Sequence, residues 1–115
     1  PGGWLVLSTP NIDGLFPRLS FPLAGILGHW PHPEPPHHLY QFSVATLSAM
    51  LRTAGFQPGP VRHCNIDLSY TFGSFPGLLR MPQRLAYALA FAPFAKLGPL
   101  LGMGDWFYIA ARKPA

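Results

Sequence analysis

Acidic side chains are almost missing from this sequence. Asp13, Glu34, Asp67 and Asp105 are the only acids, against eight Lys and Arg, and charged residues make up 10% of the chain. An ordinary soluble domain carries roughly 25%. With so little charge, much of the surface has to be apolar or covered. The net charge of +4 is spread over the whole length, with no basic run and no aromatic–basic repeat, and this argues against nucleic acid as a partner.

Cysteine is nearly absent as well. Cys64 stands alone, which excludes an intramolecular disulfide and a four-cysteine zinc site and fits a reducing, cytoplasmic compartment. Long hydrophobic runs are also lacking. The charge-free stretch from Leu19 to Pro33 is interrupted by Pro22 and Pro31, and Leu85 to Ala95 is too short for the ~20 residues that a spanning helix needs. Neither segment reads as a membrane span or an export signal.

Apolar residues are plentiful, at 49% of 115 residues, enough for the core of one domain or part of one. Pro1-Gly2-Gly3 runs directly into Trp4-Leu5-Val6-Leu7, a turn feeding a strand, so the chain is expected to start in mid-domain. The run Trp4 to Ser8 reads as a strand buried on both faces. Thr9 to Gln41 is rich in proline and without sustained period, and is expected to be a long ordered loop with one helical turn near Leu23 to Leu27. Loops of that length are usually functional.

Ser43 to Ala54 is the best-specified element. Ser43 is placed to cap a helix, Phe42 and Leu47 sit at staple positions, and Val44, Leu47, Leu51 and Ala54 form one apolar stripe. Gly55 then suits the left-handed position after the last turn, with Phe56 folding back on Leu51. Val61 to Leu68 is expected to form a second strand with a bulge near His63. Pro82 can open a helix from Met81 to about Ala92, with Pro93 ending it. Trp106 to Ala111 reads as a third strand. The helix between the first two strands predicts a crossover that leaves them parallel, with the third strand antiparallel between them. The expected divisions are 1–42 (strand and loop), 43–69 (helix and strand), 70–104 (apolar helical insertion) and 105–115 (final strand).

Three blocks together resemble a known family. They are Pro1-Gly2-Gly3 with Trp4-Leu5-Val6-Leu7-Ser8-Thr9-Pro10-Asn11, then His38-Leu39-Tyr40-Gln41-Phe42-Ser43 with Leu47, Leu51 and Ala54-Gly55-Phe56, and finally Gly104-Asp105-Trp106 through Arg112-Lys113-Pro114. In order and spacing they are similar to the C-terminal half of a class I S-adenosylmethionine-dependent methyltransferase of the small-molecule type. The resemblance implies the last three strands of that family's Rossmann-like sheet. It also implies that the family's first strand, glycine-rich loop and ribose-binding acid would lie upstream of Pro1, so that the cofactor S-adenosylmethionine has no main site in this chain. Gly98, Gly102 and Gly104 do not match such a loop. The complete protein would be an enzyme acting on a small hydrophobic or glycan-linked acceptor, and this chain, inactive alone, would supply the acceptor side.

On that reading Asn11, His38, Tyr40 and Phe42 help line the acceptor pocket. Asn11 and Asp13 can equally be turn formers after a strand, and His38 is either a general base or a hydrogen-bonded anchor of the loop. The histidines His29, His32, His37 and His38 crowd together, but their spacing matches no established metal pattern. Cys64 has no partnered histidine or basic helix end and reads as packing rather than as a nucleophile. Tyr70, Phe72, Phe75, Tyr87, Phe91 and Phe94 form a lid over the acceptor or a cap on the sheet. Two partner surfaces are also foreseen: the open edge of the first strand, which can dimerise, and the acid-free Tyr70 to Gly104 segment, which can touch an anionic membrane surface.

Overall fold

The computed structural model describes residues 1–27, 38–65 and 67–115. In chain order the elements are β1 (Trp4–Pro10), α1 (Leu15–Leu27), α2 (Val44–Thr53), β2 (Gln57–Cys64), α3 (Leu68–Phe72), α4 (Phe75–Leu79), α5 (Pro82–Leu97), a 3-10 turn (Gly98–Leu101) and β3 (Trp106–Arg112).

The three strands form one sheet in the order β1-β3-β2, and β3 pairs antiparallel with both neighbours. Every ladder in the sheet is antiparallel, which corrects the expectation insofar as it implies parallel pairing: β1 and β2 share no ladder, and they run in the same direction only because both lie antiparallel to the β3 between them. Proline explains why β3 takes the centre. A central strand must donate and accept hydrogen bonds along both edges, and proline lacks the N–H. β1 ends in Pro10 and β2 contains Pro58 and Pro60, whereas β3, Trp-Phe-Tyr-Ile-Ala-Ala-Arg, has no proline. β2 starts at Gln57 rather than Val61, and its irregularity falls between Pro58 and Val61, not at His63.

One face of the sheet carries a core. Phe107, Ile109 and Ala111 are buried with Leu47 and Leu51 of α2, and Leu5, Leu7, Phe42, Phe56 and Val61 pack around them. On the opposite face Trp4 is 63% and Val6 65% exposed. The expected burial of the first strand on both faces is therefore replaced by strict alternation, the pattern of a half-covered antiparallel strand.

Helix α2 has the termini that its sequence foretells. The Ser43 hydroxyl accepts from Thr46 N at 3.1 Å and the Thr46 hydroxyl accepts from Ser43 N at 2.9 Å, so two otherwise orphaned donors are satisfied reciprocally. At the other end Gly55 has φ 77°, and Gly55 N and Phe56 N donate to the Arg52 and Leu51 carbonyls. This is a Schellman closure. Lys113, just beyond β3, donates to the Ala54 carbonyl at 2.8 Å and sits over the Phe56 ring, tying the helix end to the sheet.

The remaining helices build a second apolar cluster of Phe16, Phe72, Leu78, Ala88, Phe91 and Ala95. They correct two expectations. The segment expected as a loop with one helical turn near Leu23 to Leu27 holds α1, thirteen residues long, whereas α3, α4 and α5 fall largely in the segment expected as an apolar helical insertion. Pro17 falls in the first turn of α1, where no backbone donor is needed. Nor does Pro93 end α5, which runs on to Leu97. A proline inside a helix costs about 3 kcal/mol, and burial of Phe91 alone returns about 1.5–3 kcal/mol, with Ala95 packed one turn later. Among the described residues no helix is long and apolar enough to cross a membrane.

Candidate functional site

Pro10 of β1 and Cys64 of β2 both lie in register with Trp106, so the carboxyl ends of the two outer strands finish side by side. An open cleft of about 650 Å³ lies there, lined among others by Asn11, Arg18, Ser48, Arg52 and His63. α1 brings Arg18, α2 brings Ser48 and Arg52, and β2 brings His63. The apolar part of the wall comes from Val44, Ala45 and Met103.

Asn11 is the pivot of this end of the sheet. It is only 2% exposed, its Nδ2 donates to the Gly104 carbonyl at 2.8 Å, and its Oδ1 accepts from Asp13 N at 3.2 Å. Its own N–H donates to the Asp105 carbonyl, and the next residue, Ile12, donates to the Phe42 carbonyl. A single parallel bridge joins Asn11 and Phe42. The Oδ1 bond is an Asx turn, so Asn11 lines the cleft and forms the turn at once.

The close approach of β2 and the start of β3 depends on Gly104. A Cβ there would lie 2.5 Å from the Cys64 carbonyl oxygen and 2.9 Å from its nitrogen. Gly98 is equally tight, its missing Cβ 2.5 Å from the Met103 carbonyl oxygen. The space beside these glycines is filled by the chain's own backbone. They form no cradle for a nucleoside, and the residues present do not fit S-adenosylmethionine.

The four residues expected to line a pocket are only partly brought together. Asn11 is in the cleft wall. Phe42 meets it through the backbone, but its ring packs with the core of the sheet. His38 is half-buried, its ring edge-on to Trp106 at 5.5 Å. Tyr40 is 75% exposed. Arg18, Ser48 and His63 join the site, with Arg52, and none of the first three carries a signal in any motif. For Arg52 a signal exists, since it stands in the last turn of a helix that the sequence specifies; for Arg18 none does, because its helix has the composition of a loop. His29, His32 and His37 lie outside the described residues, and among the described residues no three His, Cys, Asp or Glu side chains cluster as a metal site.

The chemistry available is recognition. Two exposed arginines face the cleft, Arg18 only loosely answered by Asp13 at 3.9 Å, a contact too exposed to tie either side chain down. His63 lines the cleft, and its Nδ1 is buried without a hydrogen-bond partner among the described residues. Burial, and then the negative charge of Asp105, push the Cys64 thiol above the ordinary range, and Arg62 only partly offsets them. The aromatic residues of the helical segment divide. Phe72 and Phe91 are buried against Phe16 and Tyr87 packs beside them, while Phe75 and Phe94 are exposed; the Tyr70 side chain lies outside the described residues. Compared with models of known protein families and with curated proteins, the chain matches none.

Proposed function

We propose that this chain is the acceptor-side portion of a cytoplasmic S-adenosylmethionine-dependent methyltransferase acting on a small acceptor. The observation that carries the reading is the cleft outside the carboxyl ends of β1 and β2, where α/β sheets place their ligands, with Asn11, Arg18, Ser48, Arg52 and His63 in its lining. The resemblance of the three sequence blocks supplies the reaction class. The cofactor belongs to residues beyond this chain, and the role of Asn11, Arg18, Ser48 and Arg52 is to hold and orient the acceptor, which for methyl transfer can supply most of what is needed. Val44 and Met103 suit an apolar portion of that acceptor, the arginines a polar one.

The test is to fill the cleft. Ala45 is exposed at its rim, so Ala45→Trp in the complete protein leaves the core alone. Methyl transfer from labelled S-adenosylmethionine to a panel of small acceptors should fall at least about tenfold with cofactor affinity unchanged. Unchanged turnover, or no transfer by the parent protein to any acceptor, would falsify the reading. In a calorimetric titration this chain alone should show no tight one-to-one binding of S-adenosylmethionine.

A second reading rests on the edge of β1. Among the described residues β1 pairs on one side only, it carries no charge, and Trp4 and Val6 stand exposed on one face; such an edge recruits another strand, from a second copy or a partner. Val6→Lys should abolish any concentration-dependent dimer in sedimentation velocity. A parent chain that stays monomeric at high concentration removes this reading.

A further inference from the structure

Helix α5 is apolar on both sides. Ala88, Phe91 and Ala95 face the helical core, while Leu89 and Leu97, two turns apart on the outer side, are exposed together with Ala86, Ala90 and Pro93. A helix that is apolar all round is normally covered. Its surroundings extend the stripe. α4 and the 3-10 turn both pack against α5, and they expose Phe75, Leu79, Leu100 and Leu101, with Leu100 82% and Leu89 70% in solvent. Charge settles what kind of cover fits. Between Asp67 and Asp105 the sequence has no acid, and the charges it does carry there, Arg80, Arg84 and Lys96, are all exposed cations.

We propose that the outer surface of α4, α5 and the Gly98–Leu101 turn docks flat on an anionic phospholipid surface. The apolar side chains enter the headgroup boundary, and Arg80, Arg84 and Lys96 extend their heads to lipid phosphates, as basic amphipathic surfaces do. The contact is interfacial, since no described helix can span. A second copy is a poorer occupant, because two such surfaces set face to face would oppose three cations with three cations and no acid to answer them. The surface is chemically distinct from the cleft, and its docking does not depend on methyl transfer.

Co-sedimentation with vesicles at low salt tests it. The chain should pellet with phosphatidylglycerol–phosphatidylcholine vesicles and far less with phosphatidylcholine alone. Each cation near an anionic surface is worth about fivefold in partitioning, so Arg80→Gln/Arg84→Gln/Lys96→Gln should weaken binding on the order of a hundredfold. Leu89→Ser/Leu100→Ser, both at exposed positions, should weaken it independently with the far-UV circular dichroism of the parent. No pelleting with anionic vesicles, or equal pelleting with neutral ones, overturns the proposal. So does a dimer that Leu89→Ser/Leu100→Ser dissociates while vesicle binding stays unchanged, which would make the surface a protein interface.

Discussion

Replacing Asn11 by alanine distinguishes a residue that holds the sheet end together from one that waits for a ligand. The side chain is buried and uses both polar atoms, Nδ2 on the Gly104 carbonyl at 2.8 Å and Oδ1 under Asp13 N at 3.2 Å. Deleting it removes two hydrogen bonds with a net value of about 1 kcal/mol each or less, and leaves the Gly104 acceptor without its donor, at about 1–3 kcal/mol. The Asp13 N–H is close to solvent and recovers most of its loss. The expected total is about 2–3 kcal/mol, or a melting temperature lower by roughly 10 °C. Asn11→Asp sharpens the test, because it keeps the Asx turn but sets a carboxylate oxygen against the Gly104 carbonyl. Burial and that carbonyl raise the pKa of the introduced carboxyl in the folded state, so its penalty is small at acid pH and grows as pH rises through the ordinary carboxylate range. Urea unfolding followed by circular dichroism measures both variants, with the slope m as a check that the unfolded state is unchanged. A loss under about 0.5 kcal/mol for Asn11→Ala would mean that the Gly104 contact holds nothing, and that the amide is free to serve a bound molecule.

Phe107→Ala, at the fully buried centre of the sheet core, should cost about 3–5 kcal/mol in the same assay, and a cost below about 1 kcal/mol would contradict the packing described. Gly55→Ala has to hold a side chain at φ 77° with its Cβ 2.8 Å from Lys113 Nζ; a loss of about 1 kcal/mol is expected, part of it relieved by adding Lys113→Ala. Cys64 should react slowly with iodoacetamide at neutral pH in the folded chain and at the normal thiol rate in urea, and equal rates would refute its raised pKa. Because the folded thiol binds its proton more tightly than the unfolded one, its contribution to stability is intact below the unfolded pKa and is lost as pH rises through the folded one.

Helix α2 was legible because everything that specifies it is local. Ser43 and Thr46 close one end, Gly55 closes the other, and Leu47 and Leu51 mark the buried stripe in between. α1 was not. Pro17 and Pro22 are breakers by composition, yet the first costs nothing in an opening turn, and Phe16 and Ser20 are buried where the helix packs on α5. The same tertiary support carried α5 through Pro93. The central place of the third strand was legible from the crossover between the first two, and proline content agrees with it: among the three strands the Trp106–Arg112 segment alone has none and can bond along both edges. The site was the least legible part. Arg18, Arg52 and His63 belong to three elements whose proximity follows from how α1 and α2 flank the strand ends, and no spacing in the sequence records it.

The central place of β3 governs the order in which the molecule can be built. Neither ladder is a hairpin: β1 and β2 each find their partner only across long stretches of chain, so closing the sheet carries a large loop-closure cost. α2, with both caps encoded beside it, and the α3–α5 segment can organise from neighbouring residues, whereas β1 and β2 have no mutual pairing to fall back on until β3 arrives between them. The sheet is therefore expected to condense after these local elements. Until it does, Trp4, Val6, Phe107 and Ile109 are all open to water and to other chains, so crowding at that stage, more than weakness of the finished fold, sets the hazard of aggregation.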